Sequence, residues 1–172
     1  VAEALGKLGD PAAVDRLVKA LDDADQKVRD KAAEALGEIG DPRAVEPLVR
    51  LLGDAGKNRT GEAAEALGMI GDARAAGALE KALGDENNYT RVMGSVALAC
   101  VNDPNRGQAV VALLKDKEEE VRTVAGLSLA LLGRGEGLAE LTASTKARTN
   151  WQAVAGTVGL ALIDSQAARD AL

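Results

Sequence analysis

Apolar residues recur along the chain at the spacing of amphipathic helices. One stripe predicts a first helix from about Pro11 to Leu21, and another predicts a second helix from about Gln26 to Ile39. Gly40 suits the left-handed conformation that commonly ends a helix. The connector between the two helices is short and polar, which predicts an antiparallel pair.

The same pattern returns every 31 residues. Gly9-Asp10-Pro11 recurs as Gly40-Asp41-Pro42, and segments 10–40 and 41–71 are identical at more than half of their positions. The step also connects six leucines without exception: Leu5, Leu36, Leu67, Leu98, Leu129 and Leu160. One helical hairpin cannot bury its apolar stripe alone, so neighbouring hairpins are expected to stack. The predicted fold class is therefore all-α, with stacked antiparallel helix pairs.

Two stretches of the sequence resemble a known repeat. The runs Asp41–Leu48 (DPRAVEPL) and Val28–Gly40 (VRDKAAEALGEIG) resemble the short HEAT-like repeat of the phycobilisome lyase type. The resemblance implies an α-solenoid whose second helices line the concave face. It also implies a ladder of Asp–Arg pairs between repeats, formed by Asp10, Asp41, Asp72 and Asp103 with Arg29, Arg91 and Arg122.

We expect residues 1–172 to form a single HEAT-like array. Five complete repeats occupy about 10–163, and a partial repeat lies at each end. Neither end shows the polar cap that stacked repeats usually need. The sequence is therefore expected to be part of a longer array.

The outward positions of the second helices change from charged to apolar along the chain. An exposed apolar patch larger than a few hundred Å² indicates an interaction site. We expect such a patch on the concave face of residues 88–162, where it binds another protein or domain. Its predicted anchors are Tyr89, Val92, Met93, Val96, Val124, Leu127, Leu131, Trp151, Val154, Val158 and Leu162. Permanent cover by another protein segment and a small-molecule pocket are the alternative interpretations of the same positions.

Composition and charge narrow the possible functions. The chain is 47% apolar but only 1% aromatic, which favours closely packed helices rich in Ala and Leu. Its formal net charge of -6 disfavours nucleic acid as a partner. The longest uncharged stretches are shorter than the ~20 residues of a membrane span. A single cysteine fits a reducing compartment, so the predicted location is cytoplasmic.

The residues offer little chemistry for catalysis. The sequence has no histidine, and histidine is a common general base and the commonest metal ligand. That absence excludes the HEAT-like hydroxylases, whose metal ligands are His and Glu. Cys100 lies in an apolar helix without a basic neighbour, so a structural role is expected. We therefore predict no catalytic residues, no metal site and no cofactor.

The leading functional hypothesis is a non-enzymatic scaffold that binds a partner protein through the apolar positions of residues 88–162. Two alternatives remain open. The family resemblance allows a subunit similar to the bilin lyases, which would hold a linear tetrapyrrole. The chain could also be a structural spacer inside a larger protein.

Overall fold

The structure is a computed structural model, and the residues described in it are 13–54, 61–101, 105–145 and 155–161. Helices account for all the regular secondary structure of these residues. The chain divides into unit 1, Val1–Asp103, and unit 2, Pro104–Leu172. Each unit is built from stacked antiparallel helix pairs, as the 31-residue period predicts. A single array over all 172 residues stays a prediction.

Unit 1 contains three helix pairs within its described residues. The first helices are α1 (Val14–Ala20), α3 (Val45–Gly53) and α5 (Ala76–Ala82), and the second helices are α2 (Gln26–Ile39), α4 (Gly61–Ile70) and α6 (Asn88–Cys100). Each first helix packs on the second helix of its own pair. The second helices also pack on one another in sequence order, with α4 between α2 and α6.

The predicted boundaries of the second helix are confirmed. Helix α2 spans Gln26–Ile39, and Gly40 follows it with a φ of 72°. The side chain of Asp25 caps the start of the helix by accepting a hydrogen bond of 2.8 Å from the backbone N–H of Lys27. Any other residue at position 40 would be strained in the left-handed conformation, which explains why glycine recurs at this repeat position.

The first helices begin differently from the prediction. Pro11 lies outside the described residues, but its equivalent Pro42 begins a short 3-10 helix, Pro42–Ala44, before α3. The Asp41 side chain accepts a hydrogen bond from the backbone N–H of Arg43 at 2.9 Å. The Asp41 carbonyl accepts another from the N–H of Ala44 at 3.0 Å. That second bond spans three residues, so it closes the tighter turn of a 3-10 helix.

The recurring leucines form the core of the helix pairs. Leu36, Leu67 and Leu98 are completely buried in unit 1, and Leu129 is completely buried in unit 2. Each contributes about 1.5–3 kcal/mol through burial of its side chain. Leu5 lies outside the described residues, and Leu160 is half-buried in the last described helical segment.

Neighbouring second helices in unit 1 approach each other through glycine. A methyl group added to Gly37 of α2 would lie 2.9 Å from the Cα atom of Ala66 in α4. One repeat later, a methyl group on Gly68 of α4 would lie 2.8 Å from the Cα atom of Ala97 in α6. Both distances are too short for a real side chain. Glycine therefore sets how closely the second helices pack.

In α2 and in α6, a buried arginine ties the helix to the connector before it. The Nη1 atom of Arg91 donates hydrogen bonds to the carbonyls of Asp85 and Glu86, at 2.9 and 3.0 Å. Arg29 makes the equivalent bonds to the carbonyls of Asp23 and Ala24 two helix pairs earlier. Arg91 and Arg29 are only 5% and 6% exposed. These charged hydrogen bonds satisfy carbonyls that the connector leaves open.

The expected Asp–Arg ladder is wrong for the described aspartates of unit 1. Asp41 and Asp72 form ion pairs at 2.7 Å with Arg43 and Arg74, two residues further along the chain. The backbone N–H of the same arginine also bonds to each carboxylate. These local contacts occupy the carboxylates, which is why they do not reach Arg29 or Arg91. Asp10 and Asp103 lie outside the described residues.

Unit 2 follows the same plan. Helix α7 (Arg106–Val111) continues into a 3-10 segment, Ala112–Lys115, and is followed by α8 (Glu119–Leu131), α9 (Leu138–Ser144) and the helical residues 155–161. Arg122 of α8 donates a hydrogen bond of 3.0 Å to the carbonyl of Asp116, as Arg91 does in unit 1. A buried hydrogen bond of 2.9 Å between the Thr123 and Ser144 hydroxyls joins α8 to α9.

The glycine contact predicts opposite effects for two glycine-to-alanine changes. Gly68→Ala should lower the free energy of unfolding by about 1–3 kcal/mol, because the new methyl group overpacks against Ala97. Gly77→Ala should raise it by about 0.5–1 kcal/mol, because nothing lies within 4 Å of a methyl group there and alanine favours the helix. Urea unfolding followed by circular dichroism measures both. A stabilising Gly68→Ala would contradict the close contact.

Candidate protein-interaction surface

The second helices of unit 1 present one set of exposed and half-buried side chains, which we call face 1. Its residues change from charged on α2 to mostly apolar on α6. Face 1 consists of Lys27, Asp30, Lys31, Glu34, Glu38, Glu62, Glu65, Met69, Tyr89, Met93, Val96 and Cys100. Three of the predicted anchors, on α6, therefore lie together on face 1: Tyr89, Met93 and Val96.

The prediction for Val92 is wrong, because its side chain is only 6% exposed. Val92 occupies the same repeat position as Gly61 in α4 and Thr123 in α8, and both of these are buried as well. In α8 this position turns toward the following first helix, where Thr123 bonds to Ser144. The position therefore belongs to the packing between helices and not to the outward surface.

Tyr89 is held at the start of α6 by a helix cap. The Asn87 side chain accepts a hydrogen bond of 2.9 Å from the backbone N–H of Tyr89, and Asp85 in turn caps the N–H of Asn87. The tyrosine ring then lies across α4: a methyl group on Gly61 would fall 2.3 Å from its Cδ1 atom. The missing side chain of Gly61 thus makes room for the ring. The residue remains 41% exposed.

Carboxylates surround this ring. Partial burial raises the pKa of the Tyr89 hydroxyl, and the negative charges of Glu62, Glu65 and Asp30 raise it further. Burial also raises the pKa of Asp30, followed by the charge of Glu62. The Oδ1 atom of Asp30 is buried and has no hydrogen-bond partner in the described part of the chain. Tyr89 therefore sits in a negative field, and Arg29 and Lys31 offset the part of it that comes from Asp30.

The described part of unit 2 presents a smaller apolar set, which we call face 2. It consists of Val124, Leu127, Leu131 and Val158. Val124 and Leu127 are half-buried on α8, whereas Leu131 is 56% exposed and Val158 is 47% exposed. Trp151, Val154 and Leu162 lie outside the described residues.

Sequence reasoning missed Met69 as an apolar member of face 1. Its side chain is 53% exposed and bends back over α2, with the sulfur 3.1 Å from where a methyl group on Gly37 would lie. Met69 has the same repeat position as Cys100 and Leu131, and both of these are exposed. That register was the signal that could have identified it. The thiol of Cys100 is exposed, and its structural role stays a prediction.

The described residues contain no group of three or more His, Cys, Asp and Glu side chains that could hold a metal ion. No helix among them is long and apolar enough to cross a membrane.

Stacked helix pairs of this kind define an α-helical repeat protein of the solenoid class. A family model described as HEAT repeats matches residues 1–60, 17–99 and 57–130. These segments cover more than half of the sequence, so the chain belongs to the HEAT repeat family. We found no significant match among curated proteins.

Solved structures share the fold. An engineered protein is 24% identical over 96% of this chain and 89% of its own, with a TM-score of 0.64. A designed armadillo repeat protein, solved in complex with the peptide (KR)4, is 23% identical over 94% of this chain and 86% of its own, with a TM-score of 0.64. The complex of CpcE and CpcF of phycocyanin lyase from Nostoc sp. PCC7120 is 25% identical over 96% of this chain and 72% of its own, with a TM-score of 0.54.

The negative field on face 1 predicts a measurable shift in the ionisation of Tyr89, which is the only tyrosine in the sequence. The pKa from absorbance titration should exceed the ordinary value of about 10, because ionisation adds a negative charge beside three carboxylates. The double change Glu62→Gln and Glu65→Gln should lower it.

A matched control removes two carboxylates from the first helices by Glu46→Gln and Glu80→Gln, and should leave the tyrosine pKa unchanged. An ordinary tyrosine pKa in the wild type, or equal effects of the two double changes, would show that the carboxylates do not act on Tyr89.

Proposed function

We propose that the chain is a non-enzymatic scaffold that binds another protein through the outward side of its second helices in residues 88–162. The observation that carries the proposal is the exposure of Tyr89, Leu131 and Val158 on the second helices, at 41%, 56% and 47%. Covering a side chain such as Leu131 is worth about 1.5–3 kcal/mol. A partner surface gains this free energy on binding.

Face 2 has the composition of a small interaction surface. Its apolar residues lie on the same helices as polar residues that can form a rim, because Glu119 and Glu120 are exposed at the start of α8. Apolar anchors surrounded by polar residues are typical of protein interfaces. By repeat position, Leu162 corresponds to Leu131 and Trp151 corresponds to Tyr89, and both belong to the proposed surface on that basis. Val154 corresponds to the buried Val92 and Thr123, so its repeat position does not support a place on this surface. The concave position of the surface is part of the proposal.

The comparisons support a scaffold without identifying its partner. The designed armadillo repeat protein that shares the fold was solved with a bound peptide, so this type of helix stacking is compatible with peptide recognition. The sequence has no histidine, and the described residues hold no metal-binding cluster. A scaffold requires neither of them.

Two matched substitutions test the proposed surface in unit 2. Leu131→Glu on α8 places a charge at face 2, whereas Leu138→Glu places one on the first helix α9, where Leu138 is 49% exposed. Proteins retained from a lysate of the source cells are quantified by mass spectrometry for the wild type and both variants. A specific partner should be retained by the wild type and by Leu138→Glu and lost by Leu131→Glu, with unchanged helical circular dichroism.

Retention of the same partner by all three proteins would contradict the surface assignment. Retention of no protein by the wild type would favour the structural spacer.

A bilin-lyase-like subunit is the second candidate, and the similarity to the phycocyanin lyase complex favours it. Apolar side chains such as Leu131 could contact a linear tetrapyrrole as well as a protein. Binding of the pigment should change its visible absorbance, and Leu131→Glu should weaken that change more than Leu138→Glu. An unchanged spectrum on mixing with the wild type would exclude this candidate.

A further inference from the structure

We propose that face 1 binds an extended, basic peptide segment of the partner and holds one Lys or Arg side chain between Tyr89 and the carboxylates of Asp30, Glu62 and Glu65. This inference rests on the proposed function, because it specifies the chemistry of the partner at unit 1.

Charge in unit 1 is segregated between the two layers of helices. Within the described residues, the outward ionisable side chains of α2, α4 and α6 comprise five carboxylates and two lysines. The first helices are balanced instead: α1, α3 and α5 carry three carboxylates and four bases, namely Asp15, Glu46 and Glu80 with Arg16, Lys19, Arg50 and Lys81. A cationic partner is therefore attracted to the second-helix layer.

The carboxylates around Tyr89 are only partly compensated, since Arg29 and Lys31 offset part of the charge of Asp30. Glu62 and Glu65 form no ion pair in the described part of the chain, and the Oδ1 atom of Asp30 accepts no hydrogen bond there. The nearby Lys31 is paired with Glu34 on its own helix. Burial raises the pKa of Asp30 most, and repulsion from Glu62 raises it further. A Lys or Arg side chain from a partner would relieve that repulsion.

Tyr89 adds a contact that selects for a cation. Its ring is fixed across Gly61 and is 41% exposed, so part of the aromatic surface is free for a ligand. A cation over a tyrosine ring is stabilised by the electron density of the ring face. The phenol is protonated at neutral pH, so the hydroxyl can also donate a hydrogen bond.

The rest of face 1 suits an extended chain. Packed helices lie about 8–10 Å apart, and an extended peptide advances about 3.4 Å per residue. Side chains two residues apart point to the same side of an extended chain, about 7 Å from each other, so with their own length they can reach neighbouring second helices. Met69, Met93 and Val96 offer apolar surface for the aliphatic stems of Lys and Arg and for neighbouring apolar residues.

The test uses the octapeptide (Lys-Arg)4 with a fluorescent label, and fluorescence anisotropy gives its Kd. The wild type should bind this peptide and not the acidic octapeptide (Asp-Glu)4. Glu62→Gln with Glu65→Gln should raise the Kd about tenfold, since each lost charge weakens the contact by about 1 kcal/mol or less. Glu46→Gln with Glu80→Gln removes the same charge from the first helices and should change the Kd less than about twofold.

A second pair of variants tests the ring. Tyr89→Ala should raise the Kd about three- to tenfold, whereas Tyr89→Phe keeps the aromatic face and should stay close to the wild type. Circular dichroism confirms that each variant is folded. The effect of losing the aromatic ring is thereby separated from any loss of helical structure.

Several results would overturn the inference. If the two double glutamine variants raised the Kd equally, general attraction by net charge would explain the binding. Displacement of the peptide by spermine at equal charge concentration would show that face 1 recognises any polycation and not a peptide. A wild type that does not bind (Lys-Arg)4, in a protein whose natural partner is still lost with Leu131→Glu, would refute this inference and leave the proposed function intact.

Discussion

The contact between glycine of one second helix and alanine of the next controls the rest of unit 1. Because Gly37 and Gly68 bring the backbones of α2, α4 and α6 so close together, no large side chain fits between these helices. Large residues on the outward side must instead bend over the neighbouring helix, as Met69 bends over Gly37 and Tyr89 over Gly61. The packing that stabilises the stack therefore also leaves apolar and aromatic groups exposed. One constraint thus links the composition, which is rich in alanine and glycine and poor in aromatics, to the surface available to a partner.

The helix pairs and their core were predictable because they depend on periodicity. Leu36, Leu67 and Leu98 are buried at the spacing of 31 residues, and Gly40 ends α2 in the left-handed conformation. Side-chain partners were not predictable in the same way. Arginine and aspartate at regular repeat positions suggest a ladder of Asp–Arg pairs. The period does not show whether a carboxylate or a backbone carbonyl lies nearer to each arginine. Arg91 reaches the carbonyls of its own connector, and Asp72 is already occupied by Arg74.

The surface was partly predictable for a related reason. The repeat position sorts residues by helix face, and it correctly leads to exposed positions at Tyr89 and Leu131. It failed at Val92, an apolar residue at the border of the face whose side chain is buried between helices. It overlooked Met69 because the other outward residues of α4, Glu62 and Glu65, are charged, although its register matches Leu131. The negative field around Tyr89 on α6 arises from residues on two other helices, α2 and α4, so only the packing of the three helices reveals it.

The two methionines of the sequence, Met69 and Met93, both lie on face 1 and provide the most direct test of the account. Selective ¹³C labelling of their methyl groups gives an NMR spectrum with one signal from each. If the second helices of unit 1 form a surface for basic peptides, both signals should shift progressively as (Lys-Arg)4 is added, and the acidic octapeptide should leave them in place. Methyl signals that do not move while the peptide binds would place the binding site elsewhere and contradict the account.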